Sequence, residues 1–295
     1  MLAYDIVNTI ALVGILLLIA AAYAFRILTR GKAQYSRVDK QGGSVLLGKG
    51  LMEMAYWSLQ PVAKFLVFIG CTPNQLSWAS LVLGGLAGTS LAYGYFGFAA
   101  LFATYSAFLD TLDGMVARLT HVASDAGEVL DAAVDRYVEF FFLAGVVIYY
   151  RQIPALQVIA LFALAGSFMV SYSTAKAEAL HIPPPPGIMR RPERAFYLIL
   201  GAALSPIPMP FLDAVFNFPF NVGYPLLLAT FFVAVLSNIS AIERLWTIGR
   251  AMREREKLAH DSTEVSIDEE PVDSMEADIV MTDEEKLVLS PKKTP

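Results

Sequence analysis

The sequence predicts an all-α, polytopic membrane protein, and three observations carry that prediction. Of 295 residues, 56% are hydrophobic and 17% charged, with a mean hydropathy of +0.54, a balance expected when most of the chain meets hydrocarbon. The apolar residues fall into runs near the roughly 20 residues needed to cross a bilayer core, divided by short polar or proline-bearing breakers. The Lys and Arg residues are confined almost entirely to alternate breakers, the asymmetry that orients membrane helices. The layout that follows is a six-helix transmembrane core, an interfacial helix before it, and an extra transmembrane helix at the N-terminus.

Residues 6–28 form the first apolar run, ending at RILTRGK. An acid, Asp5, precedes it, no base does, and no small-residue cleavage site is obvious, so an anchor is expected and not a cleaved signal. Residues 31–43 are polar and glycine-bearing, the pattern of a linker. Residues 44–69 mix Lys49, Glu53, Gln60 and Lys64 with large apolar side chains, and Pro61 interrupts them, which suits a helix lying in the interface. Six spans are expected near 74–93, 97–119, 125–150, 154–179, 193–212 and 222–246. Three regions result: an N-terminal transmembrane anchor and linker at 1–43, a membrane domain at 44–257, and an acidic tail at 258–295.

The formal net charge of −5 is segregated, since residues 261–295 hold eleven acids and three lysines and the rest of the chain is net +3. The tail's composition predicts a disordered, solvated appendage, and no basic footprint for nucleic acid exists. Cys71 is the single cysteine, which excludes an intramolecular disulfide. Basic residues cluster at 26–40, 118–121, 176–194 and 244–257. The positive-inside bias therefore puts the N-terminus outside and the C-terminus, the 118–121 turn and the 176–194 loop in the cytoplasm.

The chemistry concentrates between Asp110 and Asp135, in DTLDGMVARLTHVASDAGEVLDAAVD. Asp110 and Asp113 are three apart and Asp131 and Asp135 four apart, so on helices each pair shares a face. Four carboxylates at the edge of hydrocarbon are costly unless paired or metal-bound, so they point to a functional site. Hard oxygen ligands suit Mg²⁺ or Mn²⁺, and two such ions about 3.5–4 Å apart serve displacement at phosphorus. Gly114 and Ala117 leave room for a flat group, Gly127 would let two helices approach, and Arg118 offers a planar cation for a phosphate. Read only as ion-pair partners or helix glue, the acids have too few neighbouring bases, Arg118 and Arg136, to balance them.

These residues, Asp110-x2-Asp113-Gly114-x2-Ala117-Arg118-x8-Gly127-x3-Asp131-x3-Asp135, resemble the signature of the CDP-alcohol phosphotransferase family at all eight fixed positions. The resemblance covers about residues 50–250, includes Thr72-Pro73-Asn74 and the six-span layout, and leaves out the N-terminal span and the tail. It implies a membrane enzyme that moves a phosphatidyl group from a CDP-activated lipid to an alcohol, releasing CMP. By that likeness, Asp110, Asp113 and Asp131 hold one metal, Asp131 and Asp135 help with a second, and Asp135 is the general base. Pro73, Asn74, Gln75, Leu76, Gly114, Ala117, Arg118 and Ser124 would form the cytidine diphosphate site. The lipid is CDP-diacylglycerol or CDP-archaeol, and the family is often homodimeric.

A second region, SYSTAKAE followed by PPPPGIMRRPERAF, gathers Lys176, Arg190, Arg191 and Arg194 beside a proline-stiffened loop. The bland account is ordinary positive-inside charge, and the sharper one is a pocket for an anionic acceptor. The segment resembles the branch making phosphatidylinositol phosphate, or its archaeal counterpart, from inositol 1-phosphate, with Thr174 and Lys176 standing where that branch carries lysine and arginine. Ser171, Lys176, Arg191, Arg194 and Arg244 are the acceptor residues this implies. Glycerol 3-phosphate, serine and free inositol are the alternative acceptors. A cation-coupled transporter is the rival of another class, but its sites sit near the midplane of repeated halves, whereas these acids flank one turn and no internal repeat exists.

Overall fold

In a computed structural model, the residues described are 2–31, 48–183, 187–216, 218 and 220–268. Regular structure among them is entirely helical: α1 (Leu2–Arg30), α2 (Gly48–Phe68), α3 (Pro73–Ala92), α4 (Phe96–Leu119), α5 (Asp125–Tyr149), a 3-10 turn (Tyr150–Gln152), α6 (Pro154–Ala179), α7 (Arg191–Leu204), α8 (Pro210–Phe216) and α9 (Tyr224–Asp268). Nearly all of the expected linker, most of the polyproline loop and the chain after Asp268 lie outside the described residues.

Three helices are by themselves long and apolar enough to cross a membrane, at Tyr4–Arg30, Pro154–Ala179 and Tyr224–Leu258. The chain is an integral membrane protein. α3, α4 and α5 occupy the expected spans at 74–93, 97–119 and 125–150 but carry more polar residues, of which Ser77 and Asp113, and Ser80 and Ser106, meet between α3 and α4. Three expectations need correction. Pro61 does not interrupt α2, which runs through it; the missing amide leaves one helical carbonyl without its usual donor, and the helix continues on both sides. The span at 193–212 is instead a 14-residue helix, α7, ending at Leu204, followed by the short α8. Pro206 and Pro208 lack the amides needed to carry α7 on, and at 1.5 Å per residue α7 reaches only about 21 Å. Finally, α9 does not stop near 258 but reaches Asp268, through strong helix formers and an Arg250–Glu254 pair four residues apart at 3.1 Å.

The chain divides into a unit Met1–Ile248, which holds the bundle, and a unit from Gly249 onward, helical as far as it is described. Within the first, α3 packs along both α4 and α5. The α3–α5 contact is made by backbone: a Cβ on Gly84 would stand 2.9 Å from Val138, one on Gly88 would collide with the Phe141 carbonyl, and one on Gly145 with the Gly88 carbonyl. Glycines at such positions let helix axes approach closely. α6 lies against α5 and α7 against α4. α9 joins them where Asn238 Nδ2 donates to the Phe162 carbonyl at 2.9 Å and where Gly201 leaves space for Ala229 and Leu226.

The N-terminal helix is docked into this bundle. Asp5 is buried, and its carboxylate accepts from the Phe98 amide in the first turn of α4 at 3.0 Å. Gly97 makes room for the Asp5 backbone. Further along α1, the Tyr23 hydroxyl donates to Glu53 on α2 at 3.2 Å. The up-and-down order brings the starts of α3, α5 and α7 and the ends of α4 and α6 to one end of the bundle, and the site lies there.

Candidate active site

α4 ends at Leu119, the chain turns through His121 at φ 56, and α5 starts after Ser124, whose Oγ accepts from the Gly127 amide at 3.2 Å. That tight reversal sets the last turns of α4 beside the first turns of α5. Asp110, Asp131 and Asp135 each offer one carboxylate oxygen within 4.8 Å of the others, all half-buried. Asp113 does not share that cluster but stands next to it, electrostatically coupled to Asp110 and Asp131. It is buried and accepts a 2.6 Å hydrogen bond from Ser77 Oγ of α3.

A cation enters the cluster from α7. Arg191 Nη1 and Nη2 each lie 3.2 Å from an oxygen of Asp110, and Nη1 is 2.5 Å from Asp135 Oδ2. The guanidinium is thus shared between the Asp110 and Asp135 carboxylates. Asp135 Oδ1 is buried and has no hydrogen-bond partner among the described residues. An orphaned carboxylate oxygen beside two further carboxylates is a donor set that fits a hard divalent cation.

The expected cytidine diphosphate residues line the neighbouring turn to different degrees. Thr72 and Gln75 form a capping box at the start of α3, with Pro73 in the first turn. Asn74 is exposed, whereas Leu76 is buried in a small core with Leu59, Leu112 and Val116. A Cβ on Gly114 would sit 3.2 Å from Arg118 Nη1, so the missing side chain makes room for the guanidinium. Ala117 is half-buried beside it, and the Ser124 hydroxyl accepts the capping bond and keeps its own proton to donate. Gly127 departs from its expected role: among the described residues, what its missing Cβ would meet is Ser124 Oγ of its own turn and not another helix.

The expected acceptor residues separate more clearly. Arg191 is in the site, and Lys176 is exposed in the last turn of α6. Arg244 is buried; its Nη1 donates to Thr174 Oγ1 at 2.7 Å, and its Nε has no hydrogen-bond partner among the described residues. Ser171 donates within α6 to the Ser167 carbonyl. Arg194 is turned into the bundle, where its guanidinium meets Glu139 through Nε at 2.6 Å and Nη2 at 2.9 Å. Sequence reasoning did not single out Glu139 or Ser77. Glu139 carried a signal, an acid inside the apolar run YVEFFF, which in a membrane needs a partner.

Carboxylates gathered where helix ends meet in a membrane bundle define an enzyme site built around phosphate chemistry. The chain belongs to the CDP-alcohol phosphatidyltransferase family, whose model matches residues 71–236. It is 30% identical over 195 residues to the phosphatidylinositol phosphate synthase of Mycolicibacterium smegmatis, covering 64% of this chain and 82% of that protein. It is similar in structure to Mycobacterium tuberculosis phosphatidylinositol phosphate synthase with CDP-DAG bound, with a TM-score of 0.55 and 26% identity over 64% of this chain and 92% of the other. The same enzyme in complex with manganese and citrate superimposes with a TM-score of 0.56 at 26% identity, covering 64% and 87%.

Proposed function

We propose that this protein transfers the phosphatidyl group of CDP-diacylglycerol to inositol 1-phosphate and releases CMP. The observation that carries the reading is Arg191 held against Asp110 and Asp135: a cation suited to an anionic acceptor, beside carboxylates suited to a metal and to a general base. The likeness to phosphatidylinositol phosphate synthases, one of them solved with CDP-DAG and with manganese, supports the same choice of lipid, acceptor and ion.

Asp110, Asp131 and Asp135, with Asp113 alongside, are the residues that would hold two Mg²⁺ or Mn²⁺ ions. Such ions supply charge neutralisation of the diphosphate and of the departing CMP. Arg118, over Gly114, offers a planar donor to the diphosphate. Asp135 takes the proton of the acceptor hydroxyl as that oxygen bonds to the lipid-bearing phosphorus. The bond from that phosphorus to the CMP oxygen breaks, and CMP leaves with the electron pair. Arg191, Lys176 and Arg244 are the cations available to the acceptor's phosphate. The positive-inside bias of the basic segments around this end supports a cytoplasmic site, with the N-terminus outside.

Purified protein given CDP-diacylglycerol or CDP-archaeol and, in turn, inositol 1-phosphate, glycerol 3-phosphate, serine and inositol tests this directly. CMP release and a phosphorylated inositol lipid in the first arm are expected. Turnover with another alcohol and none with inositol 1-phosphate would replace the acceptor and keep the reaction.

A further inference from the structure

Two ion pairs join α5 to α7, one helical turn apart. The outer pair, Asp135 with Arg191 at 2.5 Å, belongs to the site. The inner pair is Glu139 with Arg194, at 2.6 Å. Glu139 follows Asp135 by four residues and Arg194 follows Arg191 by three, so each helix presents both of its members on one face.

The inner pair is a fork on a carboxylate, with Arg194 Nε on one Glu139 oxygen and Nη2 on the other. The remaining nitrogen, Nη1, donates to the Met189 carbonyl at 2.9 Å. Met189 is buried at φ 62, a left-handed turn through which the chain enters α7. One guanidinium thus ties down α5, α7 and the bend before α7. The two pairs differ in access: side-chain exposure is 34% and 17% for Arg191 and Asp135, but 0% and 11% for Arg194 and Glu139. A pocket walled mainly by apolar side chains, among them Ala103, Phe142 and Leu198, runs past Ser106, Asp135, Arg191 and Glu139, so the two pairs share one largely apolar wall. Bidentate charge-assisted pairs in such surroundings are strong and geometrically specific.

We propose that Glu139 and Arg194 are positioning residues for the acceptor half of the site. The outer pair has to separate, since Asp135 must receive a proton and Arg191 must meet the acceptor's anion. The inner pair stays closed throughout and keeps α7 in register on α5, so that Arg191 returns to the same place. This role rests on the reading of Arg191 given above.

Glu139→Asp and Arg194→Lys test it, because each keeps its charge while shortening the side chain or removing the fork. A misplacement of about 1 Å can cost up to about 10²-fold in rate. The acceptor KM is expected to rise about tenfold or more in both variants, with the KM for CDP-diacylglycerol within about twofold of the parent. In an Arg191→Gln background, Glu139→Asp should add less than about twofold, because residues acting through a shared partner are not additive. Unchanged acceptor KM, equal rises in both KM values, or a full multiplicative effect in the double variant would each overturn the proposal. So would failure of both conservative variants to fold, which would leave the pair a stability element alone. The acceptor used is whichever the parent protein turns over, so an inactive parent counts against the proposed reaction and not against the brace.

Discussion

Asp5 and Phe98 stand ninety-three residues apart, and the carboxylate of the first accepts a 3.0 Å hydrogen bond from the amide of the second. Tyr95, at the N-cap of α4, makes no side-chain capping bond of its own. α1 therefore caps α4 in trans, although α1 lies outside the family match at 71–236. An acid at that point also faces the positive end of the helix dipole.

Asp5→Ala should accordingly destabilise the bundle by about 0.5–2 kcal/mol, the usual cost of a lost N-cap. A lower melting temperature in detergent, with unchanged turnover per folded molecule, is the expected result. An unchanged melting temperature would mean that the cap contributes nothing.

Chelation gives the second prediction. With Arg191 the principal counter-charge visible within the acidic cluster, the diphosphate of a CDP-lipid would meet net negative charge. CMP release should therefore cease in excess EDTA and return with Mg²⁺ or Mn²⁺. Undiminished release would remove the metal-dependent reading.

Asp135→Asn keeps the side chain's shape but removes its basicity. Turnover should fall by at least about 10²-fold, since general-base catalysis is worth about 10²–10⁴, while the affinity for CDP-lipid changes less. Near-normal turnover would assign the base elsewhere.

Orientation can be read with single cysteines in a Cys71→Ser background. Val122, in the turn between α4 and α5, and Tyr93, at the opposite end of α3, are both exposed. A cysteine at 122 should react with an impermeant reagent only from the cytoplasmic side and one at 93 only from outside. The reverse pattern would contradict the charge bias.

Much of this was legible in the sequence because spacing reports which residues share a face. Asp110, Asp131 and Asp135 meet for that reason, with Asp113 outside their cluster, and α1, α6 and α9 show in their apolar runs. Spacing does not report what a face meets. Arg194 looked like an acceptor ligand among its cationic neighbours, yet its partner Glu139 lies 55 residues away on another helix. Gly127 has the composition of a helix-contact glycine, but the contacts fall at Gly84, Gly88 and Gly145. The end of α7 at Leu204 followed from Pro206 and Pro208, but their apolar neighbours in SPIPMPF disguised the break as part of a span.

The glycine contact between α3 and α5 limits how this protein can change shape. Gly88 and Gly145 bring two backbones together with no side chain between them, so neither helix can slide or roll past the other without main-chain collision. Ser77, Asp131 and Asp135 ride on those two helices, so this contact resists changes in their separation. Whatever adjustment is needed to admit lipids of different chain length or to let product leave must come from the helices around this plate, and variation in substrate handling among related proteins should be sought there.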